Sequence, residues 1–303
     1  MGSREIEKSL RSAVSVGLLA FSLSGCPSST EKRSSAIRFG VSATPEKTVP
    51  AQEIPPLSFN NDPFNLLRRK AAVEITFPEE GISNETRKKI NDATMIVEFR
   101  LEGMTGVCTG VHVGSGKVIT AGHCLECFLA NGSENKTIVV GHPLYRMTEA
   151  KIVYLPADEI PDIGLIKFDL ENVPYGAVES GRPEDLKVNQ TLIVATYQWN
   201  ALFAEGAFYA IHFHRVKFLG FEGEFLVVAE GLDQAQKINQ ASAGGSGGGI
   251  YDLRGRLLGN YSGGYGDRGM VEAYAKKVGA DPEKIKSISL FTSVSRLPED
   301  LRR

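Results

Sequence analysis

The stretch Lys117-Val118-Ile119-Thr120-Ala121-Gly122-His123-Cys124 runs from β-branched residues into small ones and then into a histidine. Val, Ile and Thr favour a short strand and Ala-Gly favours a break, so His123 is expected at a strand-to-loop turn. On its own such a histidine is usually structural. Working outward, similar β-rich runs recur between Gly, Asn, Asp and Pro. They are Thr94–Leu101, Thr109–Val113, Thr137–Val140, Lys151–Leu155 and Ile163–Phe168, then Thr191–Thr196, Phe208–Phe218, Phe225–Ala229 and Leu257–Ser262. About a dozen short strands over roughly 210 residues predict an all-β fold, a sandwich or a pair of barrels. Helical signals are few: Met270–Val278 inside a long insertion, and Pro298–Arg303 as a short C-terminal helix.

Composition limits the partners. The 303 residues are 42% hydrophobic and 23% charged, which excludes wholesale disorder. Lys and Arg number 34 against 36 Asp and Glu, so nothing supports a nucleic-acid partner, which would call for a basic excess. No internal run approaches the roughly 18 apolar residues of a spanning helix.

Two further stretches carry polar groups that could act with His123. Asp162 opens the apolar strand Asp162-Ile163-Gly164-Leu165-Ile166, 39 residues after the histidine. Ser246 lies in Gly244-Gly245-Ser246-Gly247-Gly248-Gly249, 84 residues further on. A serine hydroxyl is a poor nucleophile at its own pKa and needs a histidine to remove its proton. That histidine needs a carboxylate to fix its tautomer and stabilise the imidazolium. Asp158 and Glu159 compete with Asp162 for this role, but neither precedes an apolar strand.

Taken together, the three stretches resemble the His, Asp and Ser boxes of trypsin-like serine peptidases, in the family's order. Thr120-Ala121-Gly122-His123-Cys124 matches the histidine box throughout, and Asp162-Ile163-Gly164-Leu165-Ile166 departs only mildly at Gly164. The glycine-serine run leads into Ile250-Tyr251-Asp252-Leu253-Arg254-Gly255-Arg256-Leu257, like the hairpin after the family's nucleophile. The resemblance covers roughly residues 90–303. It implies two six-stranded antiparallel β-barrels, a catalytic set of His123, Asp162 and Ser246, and an oxyanion hole from the backbone N–H groups of Gly244 and Ser246. It also implies a Cys108–Cys124 disulfide closing the histidine loop, a substrate pocket based on Gln240, and a pocket wall of Ser262, Gly263 and Gly264. With no aspartate at Gln240, a preference for Arg or Lys loses its main support there. Three departures stand out. Gly245 replaces the usual aspartate before the nucleophile, Gly249 replaces a proline, and no Ile-Val-Gly-Gly activation sequence occurs upstream. Gly244-Gly245 is expected to accommodate positive φ in that loop.

The N-terminus reads as an address. Arg4, Lys8 and Arg11 precede the apolar run Ala13–Leu23, which suits a signal-peptide core. Leu23-Ser24-Gly25-Cys26 resembles a bacterial lipobox, implying lipidation of Cys26 and anchoring to a membrane of the bacterial envelope, on an extracytoplasmic face. The organisation expected is a signal peptide over 1–25, a tether or pro-segment over 26–83, and the peptidase domain over 84–303. Removing residues 1–25 leaves 31 basic against 34 acidic side chains, so attachment would rest on acyl chains.

Other candidates carry less. Cys127 is a remaining thiol or a partner for exchange, with Cys108–Cys127 an alternative pairing. His212 and His214 share a strand face but lack an evident third ligand, and Cys124-x-x-Cys127 has no second pair. No metal or cofactor is expected. The function expected is an envelope-anchored serine endopeptidase acting on protein or peptide substrates. The alternatives are a catalytically inactive binding module, and an acyl hydrolase, on the same fold.

Overall fold

The structure, a computed structural model, describes residues 82–101, 104–130, 136–142, 147–158, 160–169, 176–198, 210–231, 245–265 and 267–302. The proposed signal peptide, Cys26 and the tether up to residue 81 lie outside the described residues, as do Glu159, Gln240 and Gly244.

Twelve strands are described: β1 Thr94–Leu101, β2 Met104–Gly114, β3 Lys117–Thr120, β4 Thr137–Gly141, β5 Thr148–Tyr154, β6 Gly164–Phe168, β7 Thr191–Gln198, β8 Ala210–Glu222, β9 Phe225–Gly231, β10 Gly249–Tyr251, β11 Leu257–Tyr265 and β12 Ile285–Ser293. They close into two antiparallel barrels, ordered β1-β2-β3-β6-β5-β4 and β10-β11-β12-β9-β8-β7. Closure explains why β1 reads as a nearly continuous buried run rather than an alternation. One of its faces fills its own barrel and the other is covered. Val97, Val118, Val140 and Ile166 fill the first barrel, while Leu192, Val216, Leu226, Val228 and Phe291 fill part of the second. A further cluster joins Val111, Ile119, Ile163 and Leu165 of the first to Ile193, Tyr197, Phe213 and Tyr251 of the second. The two barrels thus share one apolar seam.

Three α-helices are described: α1 Asn84–Ala93, α2 Gly122–Ala130 and α3 Arg268–Val278. The Ser83 hydroxyl accepts the N–H of Thr86 at 3.0 Å and starts α1. Ile90 and Ala93 of α1 are fully buried in the seam, and a buried isoleucine contributes about 1.5–3 kcal/mol. Asp267 caps α3 by accepting the N–H of Met270, and Gly279 ends it at φ +68°. The expected C-terminal helix is a single 3-10 turn, Glu299–Leu301. β12 and the helices α1 and α2 lie outside the sequence expectations.

Candidate active site

His123 is the second residue of α2, not part of a bare turn. The first N–H groups of a helix lack partners within it. Here the Asp162 carboxylate supplies one: Oδ1 accepts the His123 backbone N–H at 2.8 Å. The other oxygen, Oδ2, lies 2.9 Å from His123 Nδ1. One carboxylate therefore holds both the main chain and the ring of the histidine. Because an ionised carboxylate only accepts, Nδ1 carries the proton of the neutral ring and Nε2 keeps its lone pair. Burial pushes the imidazole pKa down, but the Asp162 charge and hydrogen bond, helped by Glu126, outweigh this and leave it above its ordinary value.

Asp162 is itself fixed. It is 2% exposed, and its carbonyl oxygen accepts from Asn260 Nδ2 at 3.1 Å, a bond from the second barrel. Gly122 lets the helix start approach, since a Cβ there would lie 3.2 Å from Asp162 Oδ1. Gly164, the mild departure in the aspartate box, has a similar origin. A Cβ would stand 2.4 Å from Leu125 Cδ1, because this leucine of α2 packs over the start of β6.

Ser246 is buried in the turn before β10 and belongs to the second barrel. Its carbonyl accepts the N–H of Thr109 on β2 at 2.8 Å. The neighbouring Gly247 N–H donates to the Tyr261 carbonyl at 2.8 Å, and Gly248 N–H donates to Gly245 at 3.0 Å. Thr109 also stitches the barrels directly, its hydroxyl accepting the Tyr197 N–H at 2.9 Å. Beside Thr109, Cys108 is joined to Cys124, the residue next to His123, with the sulfurs 2.09 Å apart. Two adjacent pairs thus connect the serine loop, β2 and the histidine helix. Cys127, one turn further along α2, is half-buried and outside this bridge.

Of the pair expected to accommodate positive φ, Gly244 lies outside the described residues. Gly245 is not among the positive-φ residues, whereas Gly247 has φ +82°. Gly249, where the family has proline, is explained by Tyr251, whose hydroxyl oxygen would stand 2.3 Å from a Cβ at that glycine. The expected pocket wall Ser262, Gly263 and Gly264 lies on β11, and Ser262 Oγ is 2.7 Å from Thr292 Oγ1. His212 and His214 sit on β8, where burial, with the charge of His214, lowers His212 to about 4. Among the described residues, no three His, Cys, Asp or Glu are grouped to hold a metal ion, and no helix is long and apolar enough to cross a membrane. Asn260, Tyr261, Ser289 and Glu230 are polar residues of this region that the sequence reading does not single out as a group. The one available signal is an acid, Glu230, at the end of the apolar run Phe225–Ala229.

Residues 108–259, half of the chain, match the family described as trypsin-like peptidase domain. The chain belongs to that family of serine peptidases. A comparison with curated proteins gives no match. Among solved structures, it is similar to the HtrA-type protease AlgW with tripeptide, at 17% identity over 69% of this chain and 59% of that one, with a TM-score of 0.45. It is also similar to Deg5, at 18% identity over 58% and 82% of the two chains and a TM-score of 0.46. The serine endoprotease from Yersinia pestis shares 20% identity over 61% and 58%, with a TM-score of 0.43. The match spans about 59% of the length of the AlgW chain.

Proposed function

We propose that the protein is a serine endopeptidase that cleaves peptide bonds through an acyl-enzyme, with His123, Asp162 and Ser246 as its catalytic residues. The observation that carries this reading is the double grip of Asp162 on the N–H and Nδ1 of His123, in the same seam as the Ser246 loop. In the proposed reaction Ser246 Oγ attacks the scissile carbonyl carbon while His123 Nε2 takes its proton. Asp162 stabilises the imidazolium that forms without itself becoming protonated. The tetrahedral oxyanion is met by the backbone N–H groups of Gly244 and Ser246, each contributing about 2.7–4 kcal/mol if it behaves like measured donors of this kind. His123 then passes the proton to the departing amine. Water enters the vacated place and attacks the acyl carbon while the same nitrogen takes its proton. The bond from that carbon to Ser246 Oγ then breaks as His123 returns the proton to Oγ, which releases the acid product and restores the enzyme.

The test is hydrolysis of a peptide library by the purified chain and by Ser246→Ala. Cleavage that disappears in the variant supports the reading. A chain that binds peptides but leaves them whole belongs to the inactive binding module, and cleavage confined to esters belongs to the acyl hydrolase.

We further propose that Cys26 carries lipid and holds the peptidase on a bacterial envelope membrane. The support is the order of basic residues, apolar run, small residues and cysteine in residues 1–26. Cys26→Ser is expected to move the protein from the membrane fraction to the soluble one; retention on the membrane would contradict lipid anchoring.

A further inference from the structure

Asp162 is held from directions that its hydrogen bonds to His123 do not explain. Ile163 N–H donates to the Pro161 carbonyl at 2.9 Å, closing a three-residue turn with Asp162 at its apex. Ile163, on one side of the apex, is fully buried in the seam between the barrels. Ile160, on the other side, goes elsewhere. It packs against a cluster formed by Val271, Tyr274 and Ala275 of α3 with Leu219, Val227 and Leu290 of the second barrel. The loop that carries the carboxylate of the first barrel is therefore anchored in the second.

The helix that receives Ile160 is fixed at both ends. α3 interrupts the connection between β11 and β12, and Met270, Val271, Tyr274, Ala275 and Val278 give it one apolar stripe at helical spacing. That stripe lies on the cluster against which Ile160 packs. The Arg268 guanidinium ties the start of α3 to the start of β12. It donates to the Pro282 carbonyl at 3.1 Å, the Ile285 carbonyl at 3.3 Å and the Glu283 carboxylate at 2.6 Å. Nearer the other end, Tyr274 donates its hydroxyl to Glu222 of β8 at 3.0 Å, and Lys277 pairs with the same carboxylate. Exposed pairs of this kind add little stability singly, but together they fix where the helix lies.

Resting on the peptidase reading, we propose that Ile160 is a positioning residue and that α3 is the element it works against. Together they hold the Asp162 carboxylate within hydrogen-bond distance of the His123 backbone N–H and Nδ1. Neither takes or gives a proton in the proposed reaction. Both carboxylate contacts, at 2.8 and 2.9 Å, are made by one side chain at the apex of a turn that a single backbone bond closes. Such a turn can swing as a unit unless both of its flanks are packed. Ile163 fixes one flank in the seam, and the apolar cluster of α3 fixes the other. The Asn260 bond to the Asp162 carbonyl holds the main chain but leaves the direction of the carboxylate to these flanks.

The test uses the full chain with Ile160→Ala, Ile160→Leu and Val271→Ala. NMR titration of the five histidine rings, with His123 assigned from the spectrum of His123→Ala, reads the pairing whether or not the protein cleaves a peptide. Asp162 and Glu126 are the charges that raise this ring against burial. When Asp162 is loosened, burial is less opposed and the His123 midpoint falls. That fall is expected in Ile160→Ala and Val271→Ala. The wild-type midpoint is kept in Ile160→Leu, which conserves the side-chain volume. In both alanine variants kcat is expected to drop roughly a hundredfold at unchanged KM, the scale of a misplaced catalytic group. If one alanine variant does not fold, the other decides. A His123 midpoint unmoved in the folded variants overturns the proposal. So does a loss confined to KM, which would assign Ile160 to substrate contact. Fluorophosphonate labelling of Ser246 separates the two layers. An unlabelled wild type whose variants still move the midpoint loses the peptidase and keeps the positioning, while a labelled enzyme with an unmoved midpoint does the reverse.

Discussion

Gly247 stands against Thr120 so closely that a Cβ on the glycine would lie 2.4 Å from the threonine Oγ1. The same Cβ would be 2.2 Å from the Thr109 carbonyl oxygen and 2.8 Å from the Ala121 nitrogen. Thr120 in turn donates its hydroxyl proton to that Thr109 carbonyl at 2.7 Å. The residue after the candidate nucleophile is thus pressed against the strand that leads to His123. The relation between the two barrels at the site depends on there being no side chain in that position.

Gly247→Ala tests this contact. Backbone atoms cannot yield as a flexible side chain would, and φ +82° adds strain for any L side chain. The variant is expected to lose about 1–3 kcal/mol of stability from the backbone conformation alone. Its kcat is expected to fall further than the unfolded fraction explains, because the serine loop must move off β3. Denaturant unfolding and single-substrate kinetics on the same preparation check both parts.

In the proposed mechanism His123 sets the acid limb of activity. It must be neutral to take the Ser246 proton, and Asp162 holds its pKa above the ordinary 6.5 in spite of burial. Activity should therefore rise with pH through a midpoint above 6.5 in the free enzyme. In Asp162→Asn the charge that raises the pKa is gone while burial, which lowers it, stays. The midpoint should move to lower pH and kcat should fall by about four orders of magnitude. A pH profile of kcat/KM for both proteins decides it; an unmoved midpoint would contradict the pairing.

The Cys108–Cys124 bridge encloses a sequence separation of 16 residues. A loop of that size contributes about 3 kcal/mol in the chain-entropy account. Replacing both cysteines by serine is expected to lower Tm by roughly 6–12 °C for a domain of this size. Non-reducing peptide mapping of the mature protein should recover Cys108 linked to Cys124; a Cys108–Cys127 peptide would overturn the assignment.

Much of the fold is legible because barrel strands alternate with turn residues, and Thr94–Leu101 and Lys117–Thr120 are read with the boundaries the structure has. α2 escapes because Gly122-His123-Cys124 begins it without a side-chain cap in the sequence. Its N-terminal partner, Asp162, lies 39 residues away. β12 alternates weakly, with Ser287 and Ser289 at positions that face Glu230 rather than an apolar interior. The catalytic candidates are legible because each sits in a local motif. The Glu230 cluster is not, because Glu230, His214, Ser287 and Ser289 come from three separate strands, β9, β8 and β12, and only register brings them together.

Gly245 has no carboxylate with which to hold a newly released N-terminal ammonium. The serine loop is instead held by bonds to Thr109, Tyr261 and within itself. A soluble chain beginning at residue 27 is therefore expected to react with a fluorophosphonate as fast as one beginning at residue 84. A long form that stays inert until trimmed would make residues 27–83 an inhibitory segment.

The central claim is that Ser246 is a nucleophile activated by His123. Intact-mass and peptide-level mass spectrometry after fluorophosphonate treatment measures it directly. The account predicts one adduct per chain, located on Ser246, absent from Ser246→Ala and formed far more slowly in His123→Ala and Asp162→Asn. A folded wild-type chain with no adduct on Ser246, or an adduct that forms equally fast without His123, would contradict it.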